Sequence, residues 1–381
     1  MTKQAGFKRR VRARMAKTGE SYATARSRLL QSEPGATPDD SALDWMLEAL
    51  HVSNGAATDV AGTGLARRVV YWRDILHEGP VPYVAPARLR QIRADYLAAH
   101  ERVGRADVIR QFAERDQALE AGRGGDYVLW FEADLYDQLQ IAEILARLAS
   151  MGVPGSRITL ICIGEHAGIA RFGGLGELTA GQLRDLPRTN ACARMTPAGL
   201  ELATRAWAAF RAPTPAGLGA IAAARLGELR FLGEAFDRLS REYPATRDGL
   251  SLTDRRVLAA VADGAPDAGT AFARAAARET RPYLGDTTCF SRMDRLAAGP
   301  HPLLNLDPGG RPVERTTGVR LTESGANVLG GRADQIRLNS IDRWIGGVHL
   351  ESRDVQWRWD DGTEAIVRES DNLQRQPTGG A

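Results

Sequence analysis

Asp126-Tyr-Val-Leu-Trp-Phe-Glu132-Ala-Asp134-Leu-Tyr-Asp137-Gln138, followed by Leu139-Gln-Ile-Ala-Glu-Ile-Leu145-Ala-Arg-Leu148, decides the fold. Tyr127 to Phe131 is an unbroken apolar run, the pattern of a strand covered on both faces in a parallel sheet. From Leu135 the apolar residues recur at 135, 139, 142, 145 and 148, one face of a helix. Between strand and helix lies a turn crowded with carboxylates.

Three further segments repeat this arrangement. Leu50-His51-Val52-Ser53 ends in the turn pair Asn54-Gly55, with a short helix expected after it. Val69-Val-Tyr-Trp72 runs into Arg73-Asp74-Ile-Leu-His77-Glu78-Gly79-Pro80. Arg157-Ile-Thr-Leu-Ile-Cys-Ile163 opens a glycine-rich loop. Residues 87–121 read as two charged helices broken near Gly104, and Thr179 to Phe210 as helices. Strands alternating with helices predict a Rossmann-like α/β sheet domain over 41–212.

The second half reads differently. Ser251-Leu-Thr-Asp254 resembles a capping box, a second helix lies near 269–279, and a third starts at Asp286. Leu303–Leu306 and Val319–Leu321 flank a Pro/Gly-rich hairpin, and Thr322-Glu-Ser-Gly325 opens another helix. This is the order of a winged helix-turn-helix, placed at 213–360 with final strands near Val348 and 355–359. A polar tail is expected over 361–381.

The 381 residues suffice for two or three cores, and 43% apolar with 25% charged residues is ordinary for a globular chain. No apolar run approaches the roughly 18 residues that span a bilayer. Cys162, Cys192 and Cys289 have no paired spacing, and the start lacks a signal-peptide pattern, so a reducing cytoplasm is expected. The net charge of +3 conceals an asymmetry: residues 1–30 hold nine basic residues against Glu20, leaving −5 for the remainder. This basic helical arm, with a helix stop at Gly19 and a linker over 32–40, has two readings. It is a nucleic-acid-binding element using Arg9, Arg10, Arg12 and Arg14, or a solvated arm that packs on a partner.

In an open parallel sheet, ligands bind beyond the carboxyl ends of the strands. Here those ends carry Asn54, Asp74 with His77 and Glu78, Glu132 with Asp134, and Glu165 with His166. Gathered carboxylates shift each other's proton affinity or hold a hard cation such as magnesium. Glu132, Asp74, His77 and Glu78 are the catalytic candidates, with Glu132, Asp134 and Asp74 as metal ligands. His51, Asn54, Arg73, Asp134 and Gln138 are the ligand-binding candidates. Structural alternatives stand beside them: Asp134 as a helix N-cap, Asp137 in its first turn, His51 as a satisfied core imidazole, and Asp74 as a partner of Arg73. No phosphate loop or nucleophile elbow is present. In the expected third helix, Arg292 and Arg295 are candidates for nucleic-acid contact, but Asp286 and Asp294 cancel their charge. The hairpin region carries a surplus of only one positive charge.

His51-Val-Ser-Asn54-Gly55, Trp72-Arg-Asp-Ile-Leu-His-Glu-Gly-Pro80 and Trp130-Phe-Glu-Ala-Asp-Leu-Tyr-Asp-Gln138 together resemble the bacterial family designated domain of unknown function 1835, over about residues 48–185. Gly285-Asp-Thr287 and Gly346-Gly-Val-His-Leu350 are similar to its usual C-terminal companion domain. The family carries an acid after Asn-Gly; here Ala56 stands in that place. The resemblance implies a fold and a motif set, without an activity. Two functions are therefore expected in parallel. One is a cytoplasmic regulator whose α/β pocket binds a small ligand and whose winged-helix half contacts DNA or a partner, with a homodimer allowed. The other is a metal-dependent hydrolase or transferase acting on a phosphorylated or nucleotide-like compound. A scaffold whose arm docks on RNA or protein is the third reading.

Overall fold

The structure, a computed structural model, describes residues 3–18, 20, 22–30, 41–100, 103–307 and 309–369. The helix stop expected at Gly19, the linker over 32–40 and the tail beyond 369 lie outside the described residues. The first part comprises α1 (Lys3–Thr18), α2 (Tyr22–Leu30), β1 (Leu50–Ser53), β2 (Arg68–Tyr71), α3 (Pro86–His100), α4 (Arg105–Ala121), β3 (Tyr127–Glu132), α5 (Leu135–Ser150), β4 (Ile158–Ile163), α6 (Ala180–Asp185), β5 (Cys192–Arg194) and α7 (Pro197–Arg211). The sheet order is β2-β1-β3-β4-β5. β1 to β4 are parallel, and β5 is antiparallel to β4. The chain leaves β1 toward β2 on one side and returns to β3 on the other. A crevice therefore opens between β1 and β3 at their carboxyl ends, the position where such sheets place ligands.

β3 and β4 are buried along all six residues of each. Their side chains alternate between two apolar layers, as the two-residue period of a strand requires. Tyr127, Leu129, Phe131, Ile158 and Leu160 face the layer formed by α5 and α7. Val128, Trp130, Ile161 and Ile163 face Leu43, Met46, Leu65 and Leu183. The helix expected after Gly55 is instead loop with one 3-10 turn at Ala61–Thr63. β5 interrupts the helices expected over 179–210: Cys192-Ala-Arg194 is too short to show alternation, yet it covers the edge of β4.

The second part comprises α8 (Leu218–Ala222), α9 (Leu232–Ser240), α10 (Leu252–Ala262), α11 (Ala268–Ala277), α12 (Asp286–Leu296), β6 (Leu304–Leu306), β7 (Val319–Leu321), α13 (Glu323–Leu329), α14 (Gln335–Asn339), β8 (Ile341–Ile345), β9 (Val348–Ser352), β10 (Trp357–Asp360) and β11 (Ala365–Arg368). Three helices precede the antiparallel β6–β7 pair, and Asp267 bridges to Gly318 beside it. Two further antiparallel pairs follow, β8–β9 and β10–β11; β11 lies in the segment expected to be polar tail. One contiguous apolar cluster runs from Leu50 through Phe210 to Trp359, so the core passes through the boundary expected at 212. The chain is a mixed α/β protein, and among the described residues no helix is long and apolar enough to cross a membrane.

A buried cation shapes the loop after β2. Arg93 of α3, 1% exposed, grips the Asp74 carboxylate at 2.6 and 3.0 Å and donates to the carbonyls of Ile75 and Glu78. Gly79 turns this loop at φ 76°, where a Cβ would strike the Tyr96 ring. Removing one partner of such a pair leaves a buried charge unsatisfied. Arg93→Ala is expected to cost about 3–5 kcal/mol in urea unfolding. Adding Asp74→Asn should recover part of that loss, and strictly additive losses would refute the pairing.

Candidate functional site

The crevice between β1 and β3 is built around one carboxylate. Asp134, in extended conformation, caps α5 by accepting the Asp137 N–H at 3.0 Å. This places Asp137, fully buried, one turn into the helix and directly under the end of β3. Its oxygens accept the Glu132 N–H at 2.6 Å and lie 2.8 and 3.0 Å from the Asn54 side-chain amide. Burial, reinforced by the charges of Glu132 and Asp134, holds Asp137 well above the usual carboxylate range. Gln138 donates to the Glu132 carbonyl at 2.8 Å. It is 1% exposed and ties strand ends together rather than facing the crevice, where it was expected.

Glu132 divides its oxygens between two partners. Oε1 accepts the Leu175 N–H at 2.8 Å, and Oε2 accepts from the Lys17 ammonium of α1. Lys17 also donates to Asp134 Oδ2. Burial opposes the lysine charge, but Asp134, Glu132 and Asp137 outweigh it and hold Lys17 well above its ordinary value. Burial, countered by Lys17 and aided by Asp134, raises Glu132. The loop comes this close because residue 174 is glycine at φ 140°; a Cβ there would collide with the Glu132 carboxylate. A cavity of about 200 Å³ adjoins the cluster, lined by Lys17, Asn54, Glu132, Tyr136, Gly174 and Glu177 among others. Glu177 accepts from Arg14, while its buried Oε1 takes no hydrogen bond of normal geometry. Burial, partly offset by Arg14 and the nearby Gly173 amide, pushes Glu177 up to about 7.

The loop after β2 packs behind the cavity, where His77 meets the lining residue Tyr136. Glu78, 4% exposed, accepts from Arg292 Nε at 2.8 Å, and Arg292 also meets Glu242 at 2.8 Å. Arg343 on β8 pairs with Glu242 at 2.6 Å. Burial alone would raise Glu78, but Arg292, Arg343 and Arg295 together hold it near 2. His77 is buried between Tyr136 and Tyr283, both edge-on at 5.9 and 5.0 Å, and neither ring nitrogen has a partner among the described residues. Burial lowers its pKa to about 4, so it is neutral at pH 7.

The expected site residues therefore separate. Glu132, Asp134 and Asn54 meet at the crevice. Asp74 is committed to Arg93, and among the described residues no group of three or more acids, histidines or cysteines is arranged to hold a metal. The magnesium set of Glu132, Asp134 and Asp74 is thus not assembled. His51 is a satisfied core imidazole, accepting from Trp130 Nε1 at 2.9 Å and bonded to the Met46 carbonyl at 2.8 Å. Arg73 is exposed and lies over the Tyr71 ring. Glu165 is exposed. Among the expected nucleic-acid contacts, Arg292 is turned inward and Arg14 is buried in pairs with Glu20 and Glu177. Arg10 donates to the Glu177 carbonyl at 3.4 Å, Arg9 lies 3.8 Å from Asp59, and Arg12 and Arg295 remain exposed. Lys17, Glu177, Arg93, Glu242 and Arg343 escaped the sequence reading, because the pairs Lys17–Asp134, Arg14–Glu177, Arg93–Asp74 and Arg343–Glu242 join residues 19 to 163 positions apart. Comparisons with protein-family models, curated proteins and solved structures find no match for this chain.

His77 sets a pH dependence. Its folded pKa is depressed, so between about 6.5 and 4 the unfolded chain binds the proton and the folded chain does not. Its contribution to stability is complete above 6.5 and declines as pH falls toward 4. Urea titrations of wild type and His77→Phe should diverge across this window by a few kcal/mol, wild type losing more on acidification. Parallel curves would show that His77 titrates normally.

Proposed function

We propose that this chain is a ligand-responsive regulator: a small molecule binds at the β1–β3 crevice, and the helical half answers by changing its contact with a partner protein. The observation that carries this reading is the burial of Glu78, on the loop beside the crevice, against Arg292 of α12 and its partner Glu242. A displacement of residues 74–80 is passed to α12 because Glu78 takes two donors of the buried Arg292, and its withdrawal would leave that cation to Glu242 and Asp254 alone. The order α10, α11, α12, β6, β7 with the Asp267–Gly318 bridge supports a winged-helix reading of this half. The strand order supports a Rossmann-like reading of the sheet. The resemblance to domain of unknown function 1835 belongs to the same proposal, since its three motifs fall at the ends of β1, β2 and β3.

A protein partner suits the surface better than DNA. Arg292 points inward, and Arg311, Arg315 and Arg320 are each paired with an acid: Asp294 at 3.5 Å, Asp286 at 2.9 Å and Asp307 at 2.7 Å. DNA binding rests on basic side chains free to meet phosphates. The second reading, a metal-dependent hydrolase or transferase, draws on Glu132 and Asp134 sharing one cation. It requires Lys17 to withdraw and a third ligand to replace Asp74.

Hydrogen exchange on the full chain tests the coupling. Glu78→Gln should speed exchange in residues 286–296 and 341–345 by about tenfold or more, while β3 and β4 stay protected. Unchanged exchange in 286–296 would refute the relay through Glu78. Fluorescently labelled duplex DNA should show no salt-sensitive binding; a steep salt dependence would restore the DNA reading.

A further inference from the structure

We infer that the β1–β3 crevice is a receptor for a primary ammonium group on a small aliphatic amine, and that Lys17 of the N-terminal arm is its built-in competing occupant. The inference rests on the ligand-binding reading above and names the ligand's chemistry.

The two carboxylates at the crevice are fixed before any cation arrives. Glu132 commits Oε1 to the Leu175 N–H, and Asp134 commits Oδ1 to the Asp137 N–H. Each presents its remaining oxygen, Oε2 and Oδ2, to one point, where the Lys17 ammonium sits. An ammonium has three donors and suits such a convergence, whereas a bulky or quaternary cation does not. Space beyond that point is present: the adjoining cavity of about 200 Å³ suits a compact ligand. On its wall, Glu177 is 3% exposed, pairs with Arg14 through Oε2, and has only the nearby Gly173 amide, off normal hydrogen-bond geometry at Oε1, as a further donor. A buried acceptor in that condition is costly unless a donor reaches it. A short amine carrying a second N–H or O–H donor would satisfy both ends.

Lys17 is suited to yield its place. The apolar residues of the arm, Val11, Ala25 and Leu29 with Phe7 and Met15, form a cluster of their own. Its polar grip on the rest of the chain runs through Arg9, Arg10, Arg14 and Lys17. Buried pairs like those of Lys17 are little screened by salt, but a cation that offers the same two carboxylates an equivalent ammonium can replace Lys17 without leaving them unpaired. A tethered lysine acts at an effective concentration on the order of millimolar, so a free amine must compete against it.

The test uses full-length protein and n-butylammonium, the side chain of lysine without its backbone. Calorimetry should show Lys17→Ala binding it about tenfold more tightly than wild type, because the competitor is gone. In wild type, n-butylammonium should accelerate amide exchange in residues 3–18 saturably, while tetramethylammonium and n-butanol at equal ionic strength should not. If Lys17→Ala fails to fold, the wild-type exchange measurement decides alone. Equal affinities in the two proteins, or exchange in 3–18 indifferent to the amine, would make Lys17 a fixed structural ion pair and overturn the inference. Amine that displaces the arm but leaves exchange in 286–296 unchanged would refute the coupled regulator and leave the ammonium receptor standing.

Discussion

The buried carboxylate of Asp137 is the constraint on which the site depends. It accepts the last N–H of β3 at 2.6 Å and holds the Asn54 amide from the end of β1. Its own N–H completes the cap on Asp134. One side chain thereby fixes the separation of two parallel strands and the start of the helix between β3 and β4. A carboxylate with no exposure is tolerated only where hydrogen bonds replace water. Here those bonds come from the groups whose positions define the crevice, so its geometry and the satisfaction of the buried acid are the same requirement.

The same rule extends outward in two layers. Around the loop after β2, Arg93 satisfies Asp74 and several carbonyls at once, so the loop can leave the sheet without losing its hydrogen bonds. Beyond it, Glu78, Glu242, Arg292 and Arg343 alternate in sign across the junction between the sheet and the helical half. Such a network contributes little net stability compared with well-packed apolar residues, but breaking one member is expensive. It therefore sets the side-chain pairing across that junction. His77, neutral and without partners between two tyrosines, sits at the same junction.

Much of the scaffold was legible because periodicity is local. The apolar runs of β3 and β4, the 3.6-residue face of α5 and the cap residues Asp134, Ser251 and Thr322 carry their signals within a few positions. β5 and β11 did not, since a strand of three or four residues has too little alternation to register. The site was half legible. Glu132 ends a recognisable strand and Asn54 and Asp134 lie just beyond one, so topology alone brings them together. Asp74 was eligible by position and His51 by chemistry, although a core role stood beside it; Arg93 and Trp130 had already taken their polar atoms. Which polar group is spoken for depends on contacts distant in sequence, and neither spacing nor composition reports them.

Charge asymmetry offers the clearest case of one sequence signal with two physical meanings. A surplus of eight positive charges in thirty residues reads as affinity for phosphate when the arm is considered alone. The remainder of the chain is acidic, however, and its acids are not evenly spread: Glu132, Asp134 and Asp137 meet at one strand end, with Glu177 close by on the loop that follows β4. A tethered arm finds that concentration of acid before any free polyanion does, because tethering supplies a high local concentration without translational cost. Arg14 and Lys17 are drawn inside, while Lys8 and Arg12 stay in solvent on the opposite side of the helix. Lys8, Arg12 and Arg26 are exposed, whereas the inward face complements the crevice acid by acid. The basic arm is better understood as the counterpart of this protein's own acidic rim.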